Sequence, residues 1–377
     1  MSVEFIGMIA ARHQSEIHPA ATPPGAAVDP DYVARVARAH EDAGFDRVLV
    51  AWHSTDADTM LVAAHAAART ERIGFMLAHR PGFIAPTVAA RQFATFDQLT
   101  GGRAAIHVIS GGSDADQRRD GDFLGHADRY ARTDEYVEIL RRIWTSGAPF
   151  DHHGCFYQFE RAFSEVKPVR KPHIPIYFGG SSDVAVEIAA RHADVYAFWG
   201  EPLAQARETI AKVRAAAARA GRNPRTIRFS LSVRPVLAET EDAAWARAGR
   251  IIDTVRMVRG ETFGRASPKP QSVGSQRLLD AAAQGRVLDK RLWTEVAAAV
   301  GAGANTTALV GTPEQVAEAL LDYYDLGVTT FLIRGFDPFD DAVDYGLALL
   351  PIVREAVARR ESAGSAPEAA IDTAAAE

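Results

Sequence analysis

The stretch Ile176-Tyr-Phe-Gly-Gly-Ser-Ser-Asp183 is a short apolar run that ends in two glycines and two serines, and a helix-like segment, 184–193, follows it. Such a junction of strand, turn and helix presents free backbone N–H groups and hydroxyls at a helix N-terminus, where an anion is stabilised. Gly179 and Gly180 let the backbone approach a ligand closely. The stretch therefore predicts one strand–helix unit, whose turn is either a site for the phosphate of a cofactor or an ordinary turn capped by serine.

The same alternation of strand and helix continues through most of the chain. Eight apolar runs predict strands at 3–10, 47–52, 72–78, 104–110, 174–178, 195–199, 226–237 and 329–333. Eight is the number of parallel strands that closes an α/β barrel, so we expect a (β/α)8 TIM barrel. The main rival is a doubly wound open sheet, but no G-x-G-x-x-G motif follows the first strand.

Composition excludes several classes of protein. The net charge of −6 over 377 residues gives no indication of binding to nucleic acid or to an anionic membrane. A single cysteine, Cys155, excludes an intrachain disulfide framework. His13 and His18 lie on a predicted loop without a further cysteine or histidine cluster, so we expect no metal site. No apolar run reaches the roughly 18 residues that span a bilayer, and no signal peptide is evident. We therefore expect a cytoplasmic protein.

Polar, aromatic and cationic residues gather at the carboxyl ends of the predicted strands, where a barrel of this kind carries its chemistry. His53 follows the second strand and His79 the third, and histidine suits proton transfer near neutral pH. Arg234 and Arg334 lie at the ends of the last two strands, where they either bind an anionic substrate group or form structural ion pairs. Trp199 ends the sixth strand, as core filler or as a platform for a planar ring.

Six segments in chain order resemble the bacterial luciferase-like flavin monooxygenases, and most closely the alkanesulfonate monooxygenase group. The similarity extends from about residue 3 to residue 357. The six segments are Arg80-Pro81 with 85–92, then 97–103, 126–130, 177–183, 199–202 and 307–311.

This resemblance implies a barrel with insertion segments over its C-terminal face. It also implies O2 activation at C4a or N5 of reduced FMN, which a separate NAD(P)H:flavin reductase supplies, and assembly as a homodimer or homotetramer. The implied cofactor-binding residues are Gly180, Ser181, Ser182 and Tyr130 at the FMN phosphate, Ser110 and Gly111 at the isoalloxazine or ribityl, and Trp199 beside the ring. The glycine-rich loop 260–274 corresponds to a mobile lid, extending over about 260–290. We expect one domain, 1–360, and a disordered tail, 361–377.

Substrate-side residues depart from the sulfonate-cleaving pattern. Asp56 stands where those relatives carry a cysteine, Ser232-Val-Arg234 where they carry Arg-x-His, and Phe336 where they carry a tyrosine. Arg234 and Arg334 together would replace the Arg, His and Tyr side chains of those relatives. These departures put alkanesulfonates themselves in doubt.

We therefore expect an FMNH2-dependent, two-component monooxygenase acting on a small organosulfur or other anionic organic compound. Arg234 and Arg334 would hold the substrate anion, and His53 or His79 would move protons. The alternatives are a hydride-transfer oxidoreductase of the same superfamily that uses coenzyme F420, and a non-catalytic flavin-binding barrel.

Overall fold

A computed structural model describes residues 3–13, 15, 27–263, 270–303 and 305–363 of the chain. Its strands are β1 (Glu4–Ile9), β2 (Arg47–Val50), β3 (Gly74–His79), β4 (Ala104–Val108), β5 (Phe150–His153), β6 (Gln158–Ala162), β7 (Ile176–Gly179), β8 (Val195–Trp199), β9 (Arg228–Leu237), β10 (Val287–Leu288), β11 (Leu292–Trp293), β12 (Ala308–Gly311) and β13 (Val328–Ile333).

The helices surround these strands. They are α1 (Pro30–Asp42), α2 (Thr59–Ala67), α3 (Pro86–Leu99), α4 (Asp114–Arg119), α5 (His126–Thr145), α6 (Asp183–His192), α7 (Leu203–Arg219), α8 (Glu241–Phe263), α9 (Val273–Gln284), α10 (Glu295–Val300), α11 (Pro313–Asp325), α12 (Pro338–Asp344) and α13 (Leu350–Ser362). Among the described helices, none combines the length and apolar composition needed to cross a membrane.

Eight parallel strands close into a barrel in the order β1, β2, β3, β4, β7, β8, β9 and β13, and β13 pairs back to β1. They coincide with the eight predicted runs, so the (β/α)8 prediction is confirmed. The ten-residue strand β9 pairs with β8 and β13 through its first half, and with β12 from Arg234 onward. Arg234 therefore lies where β9 leaves the barrel wall.

Two predicted segments outside the barrel have different outcomes. The aromatic stretch 150–163, whose sequence predicts a hairpin-like excursion, forms the antiparallel hairpin β5–β6. The sequence of 278–300 predicts one long helix, and this prediction is wrong. The chain there forms the end of α9, the short strands β10 and β11, and then α10, because Leu292 and Trp293 pair antiparallel with β12 and are buried.

Side chains alternate along each barrel strand between the helix layer and the barrel interior. In β4, Ile106 and Val108 join the large core between strands and helices, whereas Ala105 joins a smaller cluster inside the barrel. The same interior cluster contains one residue from each of four other strands: Ile6, Met76, Tyr177 and Val195. This alternation decides which residues of each strand face the interior.

The floor of the barrel is closed by a buried ion pair. Glu4 accepts from Arg47 Nε at 2.6 Å through one carboxylate oxygen, and from Tyr177 Oη at 3.0 Å through the other. Burial alone raises the pKa of Glu4, but the charges of Arg47 and Arg228 and these hydrogen bonds outweigh it and hold the pKa below its ordinary value.

Glu4→Gln is expected to lower the free energy of unfolding by about 3–5 kcal/mol at pH 7, because Arg47 keeps its buried charge without a counterion. Since the folded pKa of Glu4 is depressed, its contribution is full above the unfolded pKa and is lost as the pH falls through the folded pKa. Urea unfolding at several pH values checks both effects, and the variant should lose less stability on acidification than the wild type. Glu355→Gln, in an exposed pair with Arg359, is the control and should change little. An equal acid response in Glu4→Gln and the wild type would contradict the assignment.

Candidate active site

The turn between β7 and α6 forms a cradle of backbone and hydroxyl groups. Gly180 has a φ of +138°, and Tyr196 Oη donates to its carbonyl at 2.6 Å. A Cβ at Gly180 would lie 2.7 Å from Ala185 Cβ and 3.1 Å from Tyr130 Oη, so only glycine fits there. Ser182 is the N-cap of α6, and its Oγ accepts from Ala185 N at 3.4 Å.

Tyr130 of α5 reaches this turn, where its Oη would lie 3.1 Å from a Cβ at Gly180 and interacts with Ser182. Burial raises the pKa of Tyr130, so its hydroxyl stays protonated and can donate. Asp183, the acidic residue of the first helical turn, is turned to solvent and pairs with Lys212 at 2.6 Å. We call Gly180, Ser181, Ser182 and Tyr130 the anion cradle, because a helix N-terminus with hydroxyl donors stabilises negative charge.

The predicted ring-binding residues lie around the carboxyl ends of β4 and β8. Ser110 is buried, and its hydroxyl donates to Thr133 Oγ1 at 3.0 Å. Gly111 has a φ of +92°, and a Cβ there would overlap the amide of Gln117, so the glycine is required. Trp199, half-buried, ends β8.

Helix α9 connects Trp199 to the anion cradle. A Cβ at Gly274 would lie 3.2 Å from the indole of Trp199 and 3.3 Å from Ser181 Oγ, so the first turn of α9 packs on both. Within the predicted lid, residues 264–269 lie outside the described part of the chain, and 273–284 form α9.

A buried ion pair fixes α9 over the site. Arg277 Nε and Nη2 donate to the two carboxylate oxygens of Glu201, each at 2.8 Å, and Glu201 is 1% exposed. Leu278, next in the helix, packs with Ala297, Ala302 and Trp199. Glu201 follows Trp199 by two residues, so the pair joins α9 directly to the strand end beneath it.

Arg277→Met is expected to lower the free energy of unfolding by about 3–5 kcal/mol, because it leaves the carboxylate of Glu201 buried and unpaired. It should also speed amide exchange in α9 more than in the barrel strands, since the pair joins α9 to β8. Hydrogen exchange with mass spectrometry checks this. Arg286→Met, which breaks an exposed pair with Glu295, is the control. Equal exchange in α9 of Arg277→Met and the wild type would show that the pair does not hold the helix.

The two predicted arginines lie together. Val233 and Ile333 are paired across β9 and β13, and Arg234 and Arg334 each follow by one residue. Arg234 is 3% exposed, Nη2 donates to the carbonyl of Gly335 at 2.8 Å, and its guanidinium lies 3.5 Å from the ring centroid of Phe336. Arg334 is half-buried. This arrangement places two cations side by side, where β9 leaves the barrel and where β13 ends.

The two predicted histidines do not lie together. His53 is exposed after β2, and its carbonyl accepts from Asp56 N at 3.1 Å. His79 is buried on the helix side of β3, where its Nε2 lies 2.7 Å from Tyr136 Oη and its ring meets Phe93 edge-on. Burial lowers the pKa of His79 to about 4, so the ring is neutral at pH 7.

Sequence reasoning missed a third imidazole, His107. It follows Ala105 on the interior face of β4, and burial lowers its pKa to about 4. Its Nδ1 is buried, and no hydrogen-bond partner reaches it among the described residues. Its neighbours on the paired strands include Ala78 of β3, a small residue. The signal was the alternation of β4, which puts His107 on the face opposite Ile106 and Val108.

Further buried donors near the ends of β3 and β4 also lack partners within the described ranges. They are Nε and Nη1 of Arg80 and Nε2 of Gln117. Arg80 Nη2 pairs with Asp116, and Gln117, in the same short helix α4, packs on Gly111. Unsatisfied buried groups are costly, so this mouth of the barrel suits a polar ligand with acceptor atoms.

Comparisons with known proteins agree with this geometry. A family model described as luciferase-like monooxygenase matches residues 3–330. A solved structure of a riboflavin lyase, with modified FMN and riboflavin, aligns with a TM-score of 0.80 and 21% identity over 95% of this chain and 92% of that chain. The EDTA monooxygenase of Chelativorans sp. BNC1 aligns with a TM-score of 0.76 and 18% identity over 95% of each chain. A coenzyme F420-dependent secondary alcohol dehydrogenase aligns with a TM-score of 0.67 and 18% identity over 94% and 99%. The TM-scores of these three alignments show a shared fold, and at such low identities they show the fold alone.

Proposed function

The chain belongs to the luciferase-like monooxygenase family, and from this premise we propose that it is an FMN-dependent, two-component monooxygenase. A separate NAD(P)H:flavin reductase supplies the reduced FMN, and O2 is the co-substrate. The substrate is a small organosulfur or other anionic organic compound. Homo-oligomeric assembly remains a prediction.

The observation that carries the proposal is the anion cradle with Trp199 beside it, both in contact with Gly274 of α9. The residues present fit FMN. Ser181, Ser182 and Tyr130 offer hydroxyls to a phosphate at the N-terminus of α6. The aromatic ring of Trp199 offers a surface to a flat ring system.

The ring end of the cofactor would meet Ser110 and Gly111 and the unpartnered donors of Arg80 and Gln117, which suit the carbonyl oxygens of an isoalloxazine. When bound, reduced FMN supplies the electrons that activate O2. Helix α9, fixed by the Arg277–Glu201 pair, would exclude water from that region.

Arg234 and Arg334 would bind the anionic group of the substrate, because two guanidinium groups side by side match a carboxylate or sulfonate. The EDTA monooxygenase of similar fold is named for a polyanionic substrate. For proton transfer we propose an imidazole at the mouth of the barrel. His107, neutral and interior, and His53, on the rim, are better placed for this than His79, which is bonded to Tyr136.

Stopped-flow spectroscopy with anaerobic reduced FMN, then O2, tests the proposal, alone and with a panel of sulfonates, sulfones and polycarboxylates. We expect tight binding of reduced FMN and substrate-dependent O2 consumption without an equal yield of hydrogen peroxide. Sulfite release would identify C–S cleavage. Binding of reduced coenzyme F420 but not of reduced FMN would overturn the proposal in favour of hydride transfer, and binding of FMN without oxygenation of any compound would favour a non-catalytic barrel.

A further inference from the structure

A cavity of about 220 Å³ lies outside the barrel, between the carboxyl end of β3 and the helices α2 and α3. Its wall is mixed: apolar surface comes from Trp52, Met60, Leu77, Ile84 and Phe93, and polar groups come from residues that include Asp58, Thr59 and Gln92. It shares no residue with the anion cradle, with the ring-side group Ser110, Gly111, Arg80 and Gln117, or with the Arg234 and Arg334 pair, although Arg80 donates to the carbonyl of its wall residue Trp52 at 3.5 Å.

His79 also lines this cavity and brings one polar group to the wall. Tyr136 Oη donates to the carbonyl of Ile84 at 3.0 Å, and a carbonyl can only accept. The hydroxyl has one proton, so towards His79 it must accept, and Nε2 of His79 therefore carries the hydrogen in their 2.7 Å bond. In the neutral ring, Nδ1 is then an acceptor.

Among the described residues, the ring of His79 makes one hydrogen bond, through Nε2 to Tyr136 Oη, which leaves Nδ1 to accept from a molecule in the cavity. Burial keeps the ring neutral, with a pKa of about 4, so the acceptor is present throughout the physiological range. Asp58, the acidic residue of the wall, caps α2 and accepts from Leu61 N at 2.8 Å.

We propose that this cavity binds a small, flat, largely apolar molecule that carries one hydroxyl or ring N–H, which donates to His79 Nδ1. An apolar cavity of about 150 Å³ accommodates benzene, so this one has room for a molecule the size of phenol or indole. Leu61, 72% exposed at the rim, leaves an apolar entrance. The proposal goes beyond the proposed oxygenation and does not rest on it.

Titration calorimetry of the full-length protein with phenol, anisole and toluene tests the proposal. Phenol should bind saturably and about tenfold more tightly than anisole or toluene, because only phenol offers a donor to Nδ1 of His79. Phenol and anisole of equal affinity, or no saturable binding of phenol, would overturn the proposal.

Two variants locate the site. Ile84→Trp should fill the cavity and weaken phenol binding at least tenfold, whereas Leu99→Trp, at the far end of α3 and 83% exposed, should not. His79→Phe should lower the affinity for phenol to that for toluene. Undiminished phenol binding in Ile84→Trp would place the ligand elsewhere and overturn the proposal. If either variant fails to fold, the comparison of phenol with anisole in the wild type still decides.

Discussion

Ser182→Asp is expected to weaken FMN binding about 100-fold while riboflavin binds as it does to the wild type. Ser182 is the N-cap of α6 and interacts with Tyr130, so a carboxylate at this position would face the phosphate. Two unit charges about 5 Å apart repel by roughly 3 kcal/mol at an effective dielectric constant of about 20, which is about two decades in Kd. Riboflavin has no phosphate and is spared.

The substitution preserves the helix. Aspartate is as good an N-cap as serine and interacts favourably with the helix dipole, so α6 should be retained. Ser182→Asn is the matched control, since it keeps a capping side chain without adding charge, and it should change FMN binding by less than about threefold. Fluorescence titration with both flavins measures the effect. Equal weakening of FMN and riboflavin would indicate a disturbed fold, and unchanged FMN binding would remove the phosphate from the anion cradle.

Much of the architecture was predictable from sequence because each barrel strand is a short apolar run bounded by polar or glycine-rich turns. The eight runs and the turn at Gly180–Ser182 depend only on local patterns, which the barrel preserves. The prediction of one long helix over 278–300 failed because the structure of this segment depends on residues that lie outside it in the sequence. Its alanine-rich composition favours a helix, but the pairing of Leu292 and Trp293 with β12 overrides that local preference.

Which face of a strand each residue occupies was harder to predict. In buried parallel strands both faces are apolar, so the pattern does not reveal the side on which the barrel interior lies. An error of one residue in the assumed register of a strand exchanges the side chains that face the interior with those that face the helices. This explains why His79, counted among strand-end groups, faces the helices, while His107 was overlooked although it faces the interior. Likewise, the ion pair that joins Arg277 to Glu201 brings together residues 76 positions apart, which no local pattern reveals.

Arg234→Ala is expected to lower kcat/KM at least about 100-fold while the Kd for FMN stays within about twofold of the wild-type value. Arg234 is buried where β9 leaves the barrel wall, and its guanidinium is oriented by Gly335 and by the ring of Phe336. An anion bound by such a fixed, desolvated guanidinium gains about 1.5–3 kcal/mol per charge-assisted hydrogen bond. Losing two such hydrogen bonds would lower kcat/KM more than about 100-fold. The anion cradle lies on different strands, so FMN binding should be unaffected.

Arg228→Ala is the matched control, because Arg228 begins the same strand at the opposite end of the barrel and pairs with Glu4 at 3.4 Å. Arg234→Lys separates charge from geometry, since lysine keeps the cation but lacks the planar fork, and it should recover only part of the activity. Thermal unfolding of each variant accounts for the hydrogen bond that Gly335 loses. Because the two arginines lie side by side, full turnover in Arg234→Ala would mean that Arg334 alone suffices or that the substrate is not an anion. Repeating the measurement in Arg334→Ala distinguishes these, since a neutral substrate would be indifferent to both substitutions.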